Sequence, residues 1–244
     1  GIRGMGFDGV MFVSGQLPED LTERKKQTMS RGLTARDLPV VRGGATSLEA
    51  VAAVRLSEQV VSAQGVNRRA RVYGVTPSYA DVHDRQVTAG RWFDDGDELE
   101  ARKVAVLGID LAEMLFGTES PLGKQVRIGD ASFRVIGVEA RIGNRMANSG
   151  WTRREMEGVL VPLTAYRAYI QGGERIAILS VKTAEKDNLE LVKAELVRLA
   201  SMPSLPRSAR GLSLACRWGS ASPTTLPTRC TTAPRMMPAS VCGS

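Results

Sequence analysis

The stretch KQVRIGDASFRVIGV, residues 124–138, sets two alternating runs of apolar and polar residues on either side of Gly129 and Asp130. Period-two alternation around a Gly-Asp pair predicts a β-hairpin with one face turned to a core. A lone hairpin is marginal in water, so other elements must cover that face. The chain supplies them on both sides. GVMFVS at 9–14, LEAVAAVRLSEQVVSA at 48–63, RRARVYGV at 68–75, KVAVLG at 103–108, GVLVPL at 158–163 and RIAILSVKT at 175–183 read as strands. In RRARVYGV the expected solvated face carries Arg69, Arg71 and Tyr73, against Ala70, Val72 and Gly74.

Helical signals lie between the strands. LTARDLPVV predicts a short helix capped by Thr34 and stopped near Pro39. Thr76 and Pro77 predict an N-cap and first turn for a helical turn reaching His83. IDLAEMLFG places Ile109, Ala112 and Leu115 or Phe116 on one face and ends at Gly117. TAYRAYI predicts a helix started by Thr164, and KDNLELVKAELVRLA an amphipathic helix with Leu189, Val192, Leu196 and Leu199 in line. LPEDLTERKKQTMSRG, residues 17–32, reads as a mobile polar loop. A strand-rich middle with mixed flanks points to an α+β fold.

The net charge of +7 hints at nucleic acid until it is divided along the chain. Residues 201–244 hold five arginines and no acidic residue, which leaves 28 basic and 26 acidic groups in the first 200. The same tail holds all three cysteines and six of the eleven prolines, with no helical or strand period. It is expected to be disordered or translated out of frame, which sequencing the gene across Leu199 to Leu214 would test. The chain begins with Gly, lacks the layout of a signal peptide and has no apolar run of about 18 residues, so a fragment of a longer protein is expected.

Motifs for chemistry fail on context. Five residues separate Gly117 from Gly123-Lys124 and Gln125 stands where a P-loop needs a hydroxyl, so that stretch reads as a helix-to-strand connector. GMGFDG, Gly4 to Gly9, matches the dinucleotide fingerprint in letters, but a strand follows it where a helix is needed. His83 is the only histidine and reads as a surface residue near a helix end. DDGDELE, Asp94 to Glu100, reads as a solvated acidic turn, because EF-hand spacing would put Arg91 at the first ligand position. Asn67 to Arg71 form a small basic run without an aromatic platform, which argues against nucleic acid. Trp151, Arg153 and Arg154 lie in a loop between two strands and are candidate partner contacts.

From Tyr73 to Val138 the pieces GVTPSY, AGRWF, VAVLG, LFG, PLGK and FRVIGV occur in an order that resembles the periplasmic core domain of MacB-type ABC transporter permeases, within the wider FtsX-type permease family. The resemblance extends more loosely over residues 9–200 and stops at the tail. It implies a porter-like α/β sandwich built from residues 1–66 and 156–200, with a mostly-β part inserted at 67–155. It also implies a domain without catalytic, cofactor or metal site, which couples cytoplasmic ATP hydrolysis to export of a macrolide, peptide or lipoprotein-like substrate. Implied partners are the transmembrane helices and ATPase of the same transporter, a periplasmic adaptor and a second copy in a homodimer, on the outer face of the cytoplasmic membrane. A free-standing extracytoplasmic ligand-binding module is the alternative, which a signal peptide encoded before Gly1 would favour. The contact surface is expected along Arg141 to Glu157.

Overall fold

One long strand organises the molecule. In the computed structural model, which describes residues 10–14, 34, 38–44, 48–141 and 155–183, β2 (Leu48–Ala63) takes different neighbours along its length. Its first half pairs with β9 (Ile178–Thr183), which pairs in turn with β1 (Val10–Ser14), all antiparallel. Its second half turns back into β3 (Val66–Val75) at Gln64 and Gly65, whose φ values of 50° and 80° suit the tight turn of a two-residue hairpin.

From β3 the pairing passes in parallel to β8 (Val159–Pro162) and antiparallel to β5 (Val104–Leu107). It continues in parallel to β7 (Ala131–Glu139), antiparallel to β6 (Gln125–Ile128), and returns to β2 at Val61 and Ser62. Six strands thus close a ring of hydrogen-bonded pairs. β4 (Val87–Gly90) pairs with the last residues of β7 on the edge opposite β5, beyond the stretch that β6 takes.

The ring encloses the main core. Val61, Val72, Leu107, Val126, Phe133 and Val159 are fully buried and pack together. Two helices complete the packing: α4 (Ile109–Phe116) adds Leu111 and Leu115, and α5 (Leu163–Tyr169) adds Ala165 and Tyr166. The opposite face of β3, β8 and β5 packs Tyr73, Val106 and Leu160 against Tyr79 and Val82 of the short turn α2 (Tyr79–Val82), with Phe93. A third cluster sets Val41 of α1 (Leu38–Gly44) on Val51, Ala53, Leu179 and Val181. The described residues are α+β and mostly sheet.

The expected hairpin is present, with Gly129 at φ 56° in its turn. The helix 109–116 ends where expected: Gly117 sits at φ 61° and its N–H reaches the Glu113 carbonyl at 2.9 Å. Gly123 at φ 76° turns the chain into β6, and the Lys124 ammonium is taken up by Glu119 and the Phe116 ring. The fingerprint-like GMGFDG, the loop 17–32, the helix expected at 186–200 and the tail lie outside the described residues.

Several local expectations are corrected. The helix at Pro39 begins there instead of ending, because proline is tolerated in a first turn where its missing N–H has no intrahelical partner; Thr34 makes a β-bridge to Arg175. Thr76 does not cap α2, since its hydroxyl accepts from the Ala53 N–H at 3.1 Å and fastens the turn to β2. Tyr73 is buried, not solvated. α5 starts at Leu163, and the Thr164 hydroxyl instead donates to the Glu98 carbonyl. The acidic stretch is a helical turn, α3 (Asp95–Leu99), with a reciprocal capping box between Asp94 and Asp97. Asp97 is fully buried and held by Arg91 at 2.6 Å and Arg102 at 3.3 Å.

Candidate functional site

The largest departure from the sequence reading is His83. It is 2% exposed, and its ring lies 4.2 Å from that of Tyr79. The reason is the fastening of α2: Ser78 Oγ donates to the Val51 carbonyl at 2.7 Å, so the turn is pressed onto β2 and carries Tyr79, His83 and Arg85 inward. Burial, with the nearby Arg85 and Lys182 charges, holds the imidazole down to about pKa 3. At neutral pH it is uncharged.

Around it lies a buried polar cluster assembled from three parts of the chain. Arg85, with a side chain 6% exposed, donates to the carboxylate of Glu155, and the Tyr79 hydroxyl donates to the same carboxylate. Glu139, at the end of β7, places Oε1 3.5 Å from Arg85 Nε, too far for a good hydrogen bond. One guanidinium therefore serves two buried carboxyl groups. Burial raises the Glu139 pKa from 4.5 to about 7; Arg85 opposes this and Glu155 reinforces it. Burial alone would lower Arg85, but Glu155 and Glu139 raise it above its ordinary value, so it stays charged. The Tyr79 hydroxyl is raised by burial and by Glu155, so it remains a donor.

This cluster stands at the base of the segment expected to carry partner contacts. On the incoming side Arg141 reaches Asp110 at 2.8 Å and Glu113 at 3.5 Å, pinning the chain to α4. On the outgoing side Glu155 is held by Arg85 and Tyr79, and the Gly108 N–H donates to the Gly158 carbonyl at 2.9 Å. Gly108 must lack a side chain, since a Cβ there would lie 2.3 Å from the Met156 carbonyl oxygen. Lys182 of β9 adds a further tie to the turn, donating to Asp84 at 2.8 Å and to the Asp81 carbonyl at 3.1 Å.

Trp151, Arg153 and Arg154 lie outside the described residues. Of the expected contact segment, the structure places its two anchored ends, Arg141 and residues 155–157. The Asp94–Glu100 carboxylates do not converge on a cation; among the described residues no group of three or more His, Cys, Asp or Glu could hold a metal. Reading the sequence missed Arg85, Glu139 and Glu155. Glu139 carried a faint signal, as an acid that directly continues the buried end of the FRVIGV run.

The fold is shared by solved extracytoplasmic domains of transporters. It matches the periplasmic region of MacB from Actinobacillus actinomycetemcomitans with a TM-score of 0.64, at 23% identity, covering 82% of this chain and 86% of that one. It also matches the extracellular domain of the noncanonic ABC-type transporter YknZ from Gram-positive bacteria with a TM-score of 0.60, at 23% identity, over 75% and 87% of the two chains. These likenesses show a shared fold. The chain belongs to the MacB-like periplasmic core domain family, whose model matches residues 6–199.

Among full-length relatives, the macrolide export ATP-binding/permease protein MacB of Syntrophobacter fumaroxidans is 34% identical over 125 residues, 51% of this chain. That of Rhodospirillum rubrum is 29% identical over 154 residues, 62% of this chain. The matched segments make up 17% and 23% of those two proteins.

Proposed function

We propose that the chain acts as the extracytoplasmic domain of an ABC transporter permease, coupling ATP hydrolysis in the cytoplasm to export or release of a substrate across the envelope. The observation that carries this is the family match over residues 6–199 together with the shared fold. Its substrate class would be that of the relatives, whose name specifies macrolides, or a peptide or lipoprotein-like cargo. The domain would stand on the periplasmic or extracellular face of the cytoplasmic membrane and work as one of two copies with the transporter's helices and ATPase. Its own role would be mechanical. A distant nucleotide state biases which arrangement the domain adopts.

A porter-like part of residues 1–66 and 156–200 with an insert at 67–155 is supported by the pairing of the first half of β2 with β9, while the second half of β2 and β8 join the insert's strands in the ring. The segment 141–157 is assigned to partner contact, with Trp151, Arg153 and Arg154 as the residues that touch a periplasmic adaptor. The support is its rooting at both ends in charged pairs.

Replacing residues 67–155 by a short flexible linker in the complete transporter, reconstituted in proteoliposomes, should leave basal ATP hydrolysis and abolish substrate export. Intact export by that variant would refute the coupling role. Charge reversal of Arg153 and Arg154 in the complete protein should weaken adaptor capture in a pull-down. Unchanged capture would remove these residues from the contact.

A further inference from the structure

The basic run at Asn67–Arg71 is used by nothing described so far, and the strand register gives it neighbours that the sequence could not. Arg69 lies opposite Val60, Arg71 opposite Glu58, and Asn67 opposite Ser62. On the other side of β2, Ser62 also faces Arg127 of β6, which faces Ser132 of β7; two pairs along, Gln125 faces Arg134. Directly opposed residues project from the same face of a sheet. Arg69, Arg71, Arg127 and Arg134 therefore share one surface running across β3, β2, β6 and β7. Val61, Val72, Val126 and Phe133 point the other way and are fully buried, which fixes the arginines outward.

The charge on this face is not balanced. Glu58 lies 3.9 Å from Arg71, and the adjoining Asp130 lies 3.2 Å from Arg127. Among the described residues, Arg69 and Arg134 have no acidic partner. Between the arginines Val60 is 48% exposed, an apolar side chain at the middle of a charged surface. The planar fork of arginine is pre-organised and matches a carboxylate in two hydrogen bonds. Among the described residues this face has no aromatic ring on which a base could stack.

We propose that this surface of the strand ring docks an acidic protein segment lying across the strands, with carboxylates against Arg69, Arg127 and Arg134 and a small apolar contact on Val60. Four strands at about 4.8 Å spacing put β3 and β7 about 14 Å apart. An extended segment covers that span with about four residues. The surface is far smaller than the roughly 800 Å² per partner of a stable complex, so the contact is weak and strongly dependent on salt. This inference does not rest on the transport reading, and its test needs no transporter.

The full chain is titrated into a fluorescein-labelled peptide of about ten residues, alternating Glu and Thr, and anisotropy is followed at about 20 mM and about 300 mM salt. Binding is expected at low salt and should weaken sharply at high salt. Arg69→Glu should weaken it about fivefold or more, whereas Arg42→Glu, the same charge change at an exposed position on α1, should weaken it less than about twofold. Circular dichroism of both variants checks that they are folded, and Arg134→Glu serves as the second variant if Arg69→Glu is not. Equal losses in the face and control variants, or no binding by the parent chain at low salt, overturn the proposal. So does preferential binding to phosphatidylglycerol vesicles with the same dependence on Arg69, which would make the face a membrane surface.

Discussion

Glu139 and His83 are both buried and both feel the Arg85 charge, and they pull the pH dependence of stability in opposite directions. The folded chain raises Glu139 from 4.5 to about 7, so between those values it keeps a proton that the unfolded chain has released. Stability from this group falls as pH rises through that window. His83 is lowered from 6.5 to about 3, so across that range the unfolded chain takes up a proton that the folded chain refuses. Its contribution falls as pH drops. The windows overlap and partly cancel. Glu139→Gln should unmask the histidine: the variant should match the parent near pH 4.5 and be more stable at pH 8 by up to about 3 kcal/mol in urea denaturation. A difference that is the same at both pH values would contradict the assignment. Arg85→Met should be costly, about 3–5 kcal/mol, because it leaves two buried carboxyl groups without their cation.

At the scale of elements, the junction between β5, α4 and the return into β8 depends on a bare backbone. Gly108→Ala would force a methyl into the Met156 carbonyl and shift the segment that presents Glu155. The expected cost is about 1–3 kcal/mol by thermal unfolding. Gly172→Ala, where a methyl meets nothing within 4 Å, should cost far less. Period-two alternation made the 125–139 hairpin readable from the sequence, short continuous apolar runs the buried β5 and β8, and helical spacing with a closing glycine the helix ending at Gly117. Pro39 was misread because proline marks a first turn as readily as a break. Tyr73 was misread because alternation says which residues share a face, not whether that face is covered; here α2 and Phe93 cover it. The buried cluster was hidden for a different reason. Tyr79, Arg85, Glu139 and Glu155 are drawn together only by tertiary packing, and no spacing rule links them.

For the whole molecule, the order of short pieces between Tyr73 and Val138 led to the family, and the match over residues 6–199 bears it out. What the order could not reveal was closure, because the pairing of β6 to β2 and the insertion of β8 join segments far apart in sequence. That closure has a consequence for how the chain is made. β8 is the last of the six ring strands to be synthesised, and its place is between β3 and β5. Until Val159–Pro162 emerges, those two strands present open hydrogen-bonding edges, which attract other strands. Loop entropy must be spent before this long-range pairing is rewarded, so ring closure should be a slow step in refolding. A chain ending at Arg141 should scatter light at concentrations where the full chain stays clear, and clarity of the truncated chain would show that the ring does not depend on β8. A nascent copy is thus most vulnerable to self-association in the interval just before the strand that seals the ring appears.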